Sequence, residues 1–323
     1  MNFRCNSLLF ILAALLITVG CALNSITEGI NTDTNAHINT IDWYQIGRQA
    51  LMDNRLDKAL DAYNKAIASN SKIAEAYNGR GVTYVKLGNS NQAIADYSKA
   101  IALNPKYAQA YYNRGNAYYR SADYNQAIAD YNKAIELNPK IAEAYNSRGA
   151  TYDEIGNDYQ AIADYNKAIE LNPKMAEAYS NRGYAYYRYA DYHQAIVDYS
   201  KAIALNPKYA EAYHNRGNAY YSSADYNQAI ADYNKAIELN PKLAEAYNSR
   251  GVTYDEIGND NQAIADYSKA IELNPKYAEA YHNRGVTYGS LGNYNQEITD
   301  IKKAARLGLK EAKDYLSEQR IVW

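Results

Sequence analysis

The sequence predicts an all-α solenoid of eight stacked helix-turn-helix units closed by a C-terminal capping helix, and three observations carry that expectation. All six prolines, Pro105, Pro139, Pro173, Pro207, Pro241 and Pro275, stand 34 residues apart. Between them run two apolar stripes at helical spacing, separated by a break of Gly, Asn and Asp. At 323 residues the chain exceeds what one hydrophobic core usually serves, so growth by stacking accounts for its length.

Written out, the units are residues 40–73, 74–107, 108–141, 142–175, 176–209, 210–243, 244–277 and 278–311, within a repeat region 40–311. In the unit at 142–175, Tyr145, Gly149 and Tyr152 fall at i, i+4 and i+7 and make one stripe on a first helix. Ala161, Tyr165 and Ala168 make the matching stripe on a second helix. Gly156-Asn157 breaks the first helix, and Asn157 with Gln160 is a capping-box signature that opens the second. Asp123 with Gln126, Asp191 with Gln194, Asp225 with Gln228, Asn259 with Gln262 and Asn293 with Gln296 repeat that spacing. Asn172-Pro173 is expected to end one helix and start the next, because Pro lacks an amide donor but suits a first turn. The small residues let helices approach while tyrosines, 37 in the chain against 2 phenylalanines, fill the wider gaps.

These aromatic, small and proline positions resemble the tetratricopeptide repeat family over about five-sixths of the chain. In the first unit Trp43, Gly47, Ala59, Tyr63 and Ala66 meet the pattern, while Ala50 and Ser71 depart from it as suits an end unit. The resemblance implies a right-handed solenoid whose first helices line a concave, protein-binding groove.

The seventh residue of seven units is Arg80, Arg114, Arg148, Arg182, Arg216, Arg250 and Arg284, where that family is usually aliphatic. The twenty-third is Asp96, Asp130, Asp164, Asp198, Asp232, Asp266 and Asp300. The first unit changes both, to Ile46 and Ala62. A forked, partly buried Arg–Asp pair joining the two helices of each unit is therefore expected. A longer period is also present, because residues 108–175 nearly recur as 210–277. Such tiling suits an extended or repetitive partner, and recent internal duplication would leave the same trace.

The last unit departs again, with Glu297 for the usual Ala, Ile301 for Tyr and Leu309 for Pro, and residues 312–323 offer Tyr315 and Leu316 as a cap. At the other end, Arg4 and the apolar run from Leu8 to Val19 make residues 1–20 an expected secretory leader, too short to span a bilayer. Thr18-Val19-Gly20-Cys21 resembles a lipoprotein cleavage box, which makes Cys21 the expected lipidation site and residues 21–39 a polar tether. Exported residence follows, as an envelope lipoprotein or otherwise secreted or periplasmic, with membrane attachment only through leader or lipid.

Composition narrows function further. The formal charge of -2 gives no basic surplus for nucleic acid. Cys5 and Cys21 are the only cysteines, so the repeat body has no thiol chemistry. His37, His193, His214 and His282 lack ligand spacing, and no phosphate loop, nucleophile elbow or zinc-protease motif occurs. No cofactor, metal or catalytic residue is expected, and the chain reads as no enzyme.

The face of the first helices turned away from the packing stripe carries Asn78, Tyr112, Asn116, Tyr119, Asn146, Asp153, Tyr184, Tyr187, His214, Asn218, Tyr221, Asn248, Asp255 and His282. Asn can meet a peptide's donor and acceptor together, and Tyr offers broad contact at low rotamer cost. Glu75, Glu143, Glu177, Glu211, Glu245 and Glu279 stand second on these helices and the basic residues of a two-carboxylate clamp are missing, so neutral or cationic partners are favoured. The expectation is a protein-interaction scaffold; the alternative is a self-assembling structural envelope protein, which oligomeric state would decide.

Overall fold

The computed structural model describes residues 42–322; the leader over 1–20, Cys21 and the tether over 21–39 lie outside the described residues. Those described hold seventeen helices and no strand. They are α1 (42–52), α2 (Leu56–Ser69), α3 (Ala74–Lys86), α4 (Ser90–Leu103), α5 (Ala108–Arg120), α6 (Tyr124–Leu137), α7 (Ala142–Glu154), α8 (Asp158–Leu171) and α9 (Ala176–Arg188). There follow α10 (Tyr192–Leu205), α11 (Ala210–Ser222), α12 (Tyr226–Leu239), α13 (Ala244–Glu256), α14 (Asp260–Leu273), α15 (Ala278–Ser290), α16 (Tyr294–Arg306) and α17 (Lys310–Glu318). Two compact units divide the chain, the first ending at Thr151 and the second beginning at Tyr152. In each, an odd-numbered helix pairs with the even one after it, and the even helix packs on the next hairpin.

The turn within each hairpin needs one residue in the left-handed region. Gly88, Gly156, Gly258 and Gly292 supply it at φ of 74° to 80°, while Ala122, Ala190 and Ala224 are held there at 56° to 59°. An alanine so placed costs about 1 kcal/mol, which the surrounding packing must offset. The expected side-chain caps form at Asp123, Asn157, Asp191 and Asp225, whose oxygens accept from the amides of Gln126, Gln160, Gln194 and Gln228 at 3.1 to 3.4 Å. Asn259 and Asn293 form none. At Asn259 the Gln262 amide goes instead to the backbone carbonyl, at 3.0 Å.

The prolines also depart from expectation. Pro105 lies in a turn after α4, and α5 begins only at Ala108. The reason is an Asx turn: Asn104 Oδ1 accepts from the Lys106 amide at 3.1 Å, and Asn138, Asn172, Asn206, Asn240 and Asn274 repeat this at 3.1 to 3.2 Å. That turn encloses the proline and postpones the helix. In the first hairpin Asn70 makes the same bond to Lys72 around Ser71, so the asparagine rather than the proline closes the turn.

Inside the hairpins a buried tyrosine lies against a glycine, except in α15–α16, where Ile301 takes the place of the ring beside Gly285. A Cβ on Gly81 would sit 2.6 Å from the Tyr97 ring, and one on Gly217 2.7 Å from that of Tyr233. Glycine lets the first helix close on the ring, and the ring fills what the missing side chain leaves. Tyr131 and Tyr233 donate their hydroxyls to Asn116 and Asn218 Oδ1 at 2.7 and 2.8 Å, satisfying the one polar atom each ring buries.

Six of the seven expected Arg–Asp pairs lie inside a single compact unit, and all six form. Arg80, Arg114, Arg182, Arg216, Arg250 and Arg284 each grip their Asp through Nε and Nη2 at 2.7 to 2.9 Å. The remaining nitrogen does more than the sequence suggests. Nη1 reaches the second helix of the preceding hairpin, donating to Asn64, Ser98, Asn166, Ser200, Asn234 and Ser268 in the same order. Tyrosine rings flank the guanidinium, as Tyr111 and Tyr118 do that of Arg114 at 5.7 and 5.9 Å. In the first hairpin Ile46 and Ala62 stand at the two places, so that hairpin makes neither bond.

After α16, Ala312 and Leu316 of α17 cover Ile301, Ala304 and Ala305. Glu297 is buried beside Gly289, where a Cβ would come 2.6 Å from its carboxyl carbon, and Tyr315 donates its hydroxyl to Glu297 Oε1 at 2.5 Å.

Asp266→Ala leaves Arg250 half-buried without its fork and is expected to lower the stability of α13 and α14 by about 2–4 kcal/mol. Arg250→Met with Asp266→Leu should lose less than either single change. Native-state hydrogen exchange at those helices measures both.

Candidate protein-binding surface

Like helices of neighbouring hairpins touch on the first-helix side: α3 with α5 in the first unit, and α9, α11, α13 each with the next odd helix in the second. Within each unit this draws the candidate residues of successive hairpins onto one wall. Their fates there differ, because several are consumed by the stacking itself.

Asn78, Asn146 and Asn248 are buried. Asn78 Oδ1 accepts from Asn113 Nδ2 at 2.9 Å and Asn248 Oδ1 from Asn283 Nδ2 at 3.2 Å, each bond joining one first helix to the next. Asn116 and Asn218 hold the core tyrosine hydroxyls, as described. Tyr112 packs on Tyr131 with ring centres 6.1 Å apart. His214 lies 5.8 Å from the Tyr233 ring with Nε2 3.1 Å from Ser249 Oγ, and burial lowers its pKa; burial lowers that of His282 too. These residues form the floor of the wall.

What faces outward in each unit is an edge. Tyr119, Tyr187 and Tyr221 pack edge-tilted on Tyr124, Tyr192 and Tyr226 of their own hairpins, 5.5 to 5.8 Å between ring centres. The same three hairpins carry the left-handed alanines, so the aromatic corner coincides with the strained turn. Tyr184 is 45% exposed. In the second unit Asp153, Tyr187, Tyr221 and Asp255 take one helical position in α7, α9, α11 and α13. Tyr187 bonds across to Ser222 at 3.3 Å, and the Tyr221 hydroxyl is pushed up by burial and then by Glu256, Tyr226 and Asp255. The edge thus reads acid, ring, ring, acid.

Its two ends are unlike. Arg188 Nη1 donates to Asp153 Oδ1 at 2.8 Å and to the Asp153 carbonyl at 3.2 Å, and lies 3.1 Å from Asp158 Oδ1. Burial pushes the Asp153 carboxyl up to about 6, opposed by Arg188 and reinforced by Asp158. At the other end Asp255 Oδ1 accepts from Thr287 Oγ1 at 2.9 Å. Neither Arg188 nor Thr287 was legible as a site residue from one helix alone, because each comes from the next hairpin.

A cavity of about 560 Å³ opens in the second unit between Tyr159, Ile162 and Asn166 of α8 and Tyr186, Tyr189 and Asp191. Tyr159 and Tyr189 are 80% and 56% exposed. The sequence signal for them was available, since hairpins elsewhere carry Asn, His or Asp at the first place and Leu, Ile, Ser or Asp at the second. No helix among the described residues is long and apolar enough to cross a membrane, and no described group of His, Cys, Asp and Glu is arranged for a metal.

Residues 53–88, 83–121, 154–188, 191–224, 217–258 and 254–292 match a family model described as TPR repeat. Models described as tetratricopeptide repeat match residues 108–141, 130–163 and 278–307. Among solved structures the chain is similar in fold to the crystal structure of the APC/C hetero-tetramer Cut9-Hcn1, at 18% identity and a TM-score of 0.63. That match covers 77% of this chain and 52% of the other, so this chain spans about half its neighbour's length. It is similar also to a tetratricopeptide repeat protein from Parabacteroides merdae ATCC 43184, at 23% identity and a TM-score of 0.61, covering 76% and 97%. No curated protein matches the sequence.

The folded Asp153 carboxyl, at about 6, lies above the unfolded value of about 3.9, so the folded state holds this proton more tightly. Its share of stability is therefore present below pH ~4 and lost as pH rises towards ~6. Asp153→Asn should melt close to the parent at pH 4 and progressively above it by pH 6.5, read by thermal unfolding across that range.

Proposed function

The chain belongs to the tetratricopeptide repeat family, and from that premise we propose that it is a non-enzymatic protein-interaction scaffold that holds a segment of another protein along the first-helix edge. One observation carries the reading: the hairpins spend their floor residues on each other yet leave Tyr119 at the edge in the first unit and Tyr184, Tyr187 and Tyr221 at the edge in the second. Tyrosine there gives large contact area with two rotatable bonds to fix, which suits recognition of a backbone and its side chains. The partner is a neutral or cationic protein segment, not nucleic acid. Glu75, Glu143, Glu177, Glu211, Glu245 and Glu279 are all exposed near the starts of the first helices and would repel an anionic tail.

Export fits the same role. A leader over residues 1–20 would carry the chain out, and lipid on Cys21 would hold the scaffold at a membrane surface through the 21–39 tether without inserting the repeats.

In a crosslinked pull-down from the native membrane fraction, the parent should recover partners that a Tyr119→Ala, Tyr187→Ala, Tyr221→Ala variant does not. Identical recovery by both removes the edge from the proposal. Labelled palmitate should enter the parent and not Cys21→Ser, and label that persists in the variant removes the anchor.

A further inference from the structure

The second unit holds the same six residues twice, Asp153-Glu154-Ile155-Gly156-Asn157-Asp158 and Asp255-Glu256-Ile257-Gly258-Asn259-Asp260. The two loops share one backbone. Gly156 and Gly258 stand at φ of 76° and 74°. Their amides bond to the carbonyls of Asp153 and Asp255 at 3.0 and 2.9 Å, and those of Asn157 and Asn259 to the carbonyls of Tyr152 and Tyr254 at 2.8 and 2.7 Å. Asp255 and Asp260 therefore take the same backbone places in their loop as Asp153 and Asp158 do in theirs.

What differs is the neighbour. In the first copy the next hairpin extends Arg188 into the space between the acids, and one guanidinium nitrogen touches both carboxylates. In the second copy Ser290 occupies the Arg188 place, and its hydroxyl turns back to the Thr287 carbonyl at 2.8 Å. Thr287 takes one oxygen of Asp255, where the first copy has Ala185 and makes no such bond. Leu291 replaces Tyr189 beside the gap. Beside Asp260 lies a cavity of about 370 Å³, lined by Gly258, Asn259, Asp260, Asn261, Gln262 and Leu291, with Asp255 outside its lining. The first-turn position of Asp260 on α14 favours a negative charge without any partner, so the fold tolerates the open site.

We propose that Asp255 and Asp260 receive an arginine side chain of the bound protein segment, seated as Arg188 is seated between Asp153 and Asp158. The choice of guanidinium rests on that internal copy: it is the group the same loop already holds, and its planar fork can serve two carboxylates at once where an ammonium offers a single point of charge. The proposal rests on the scaffold reading and names its chemistry. Tyr221 and Tyr187 precede Asp255 along the edge, so the segment would lay apolar or aromatic residues on the rings and end this run with its arginine.

The full chain, isotope-labelled and followed by NMR, is titrated with acetyl-Gly-Arg-Gly-amide and with the uncharged citrulline analogue of the same shape. The arginine peptide should shift the Gly258 and Asn259 amides, and the citrulline peptide should not. Asp255→Asn with Asp260→Asn keeps the Thr287 bond and the loop shape, and should weaken binding at least tenfold. Ser290→Arg supplies the missing side chain from within; it should abolish the response and raise the melting temperature. Equal responses to the two peptides, unchanged binding by either variant, or no response up to about 20 mM arginine peptide overturns the proposal. A membrane pull-down that recovers nothing while the arginine peptide still binds would instead remove the scaffold reading and leave this site standing.

Discussion

The guanidinium at the seventh place of the repeats after the first is the joint on which the described stack depends. Two of its nitrogens clamp the aspartate across their own hairpin, and the third crosses to the hairpin before. A helix pair fastened only within itself would be a free-standing hairpin, too small to bury a core. A single side chain that bonds in both directions makes the hairpin and its stacking one event. Burying such a charge is favourable only when its donors are met, and aspartate, Asn or Ser and the flanking rings meet them.

That joint also explains why the glycine–tyrosine contact can be so close. With helix register set by the Arg–Asp fork, the ring of Tyr233 always arrives over Gly217 and never over a neighbouring alanine. The alanines complete the interior, and the tyrosine hydroxyls are answered by Asn116 and Asn218 from the first helices. Much of the asparagine on the inner wall is therefore structural. The surface left for another molecule is narrower than the helix face and is concentrated at its tyrosine edge.

The fold was legible because proline spacing, the two stripes and the Arg and Asp columns all repeat with one period, and any of them alone marks the unit. Less legible was anything that depends on two hairpins together. Asn78 reads as a surface donor until Asn113, one repeat on, is seen to bond to it. Arg188 reads as a solvated helix end until it meets acids that lie 30 and 35 residues earlier in the sequence. Ala122, Ala190 and Ala224 give no sign in sequence of a left-handed backbone, because alanine has no preference for it; only their alignment with Gly88 and Gly156 shows the need. The proline misplacement was local in origin: the preceding asparagine closes a turn, and this outranks the first-turn preference of the imino acid.

Since each described Nη1 bond of these seventh-place arginines asks only for an Asn or Ser one hairpin back, the pattern behaves like a grammar with a single agreement rule. Whole blocks can recur, as 108–175 nearly does at 210–277, and the sentence still parses at each seam. What such recurrence does not carry over is the word that follows the block. The same hexapeptide therefore ends against arginine in one place and serine in the other, and lineages that lengthen such chains acquire unanswered chemistry at the seam without inventing a new loop.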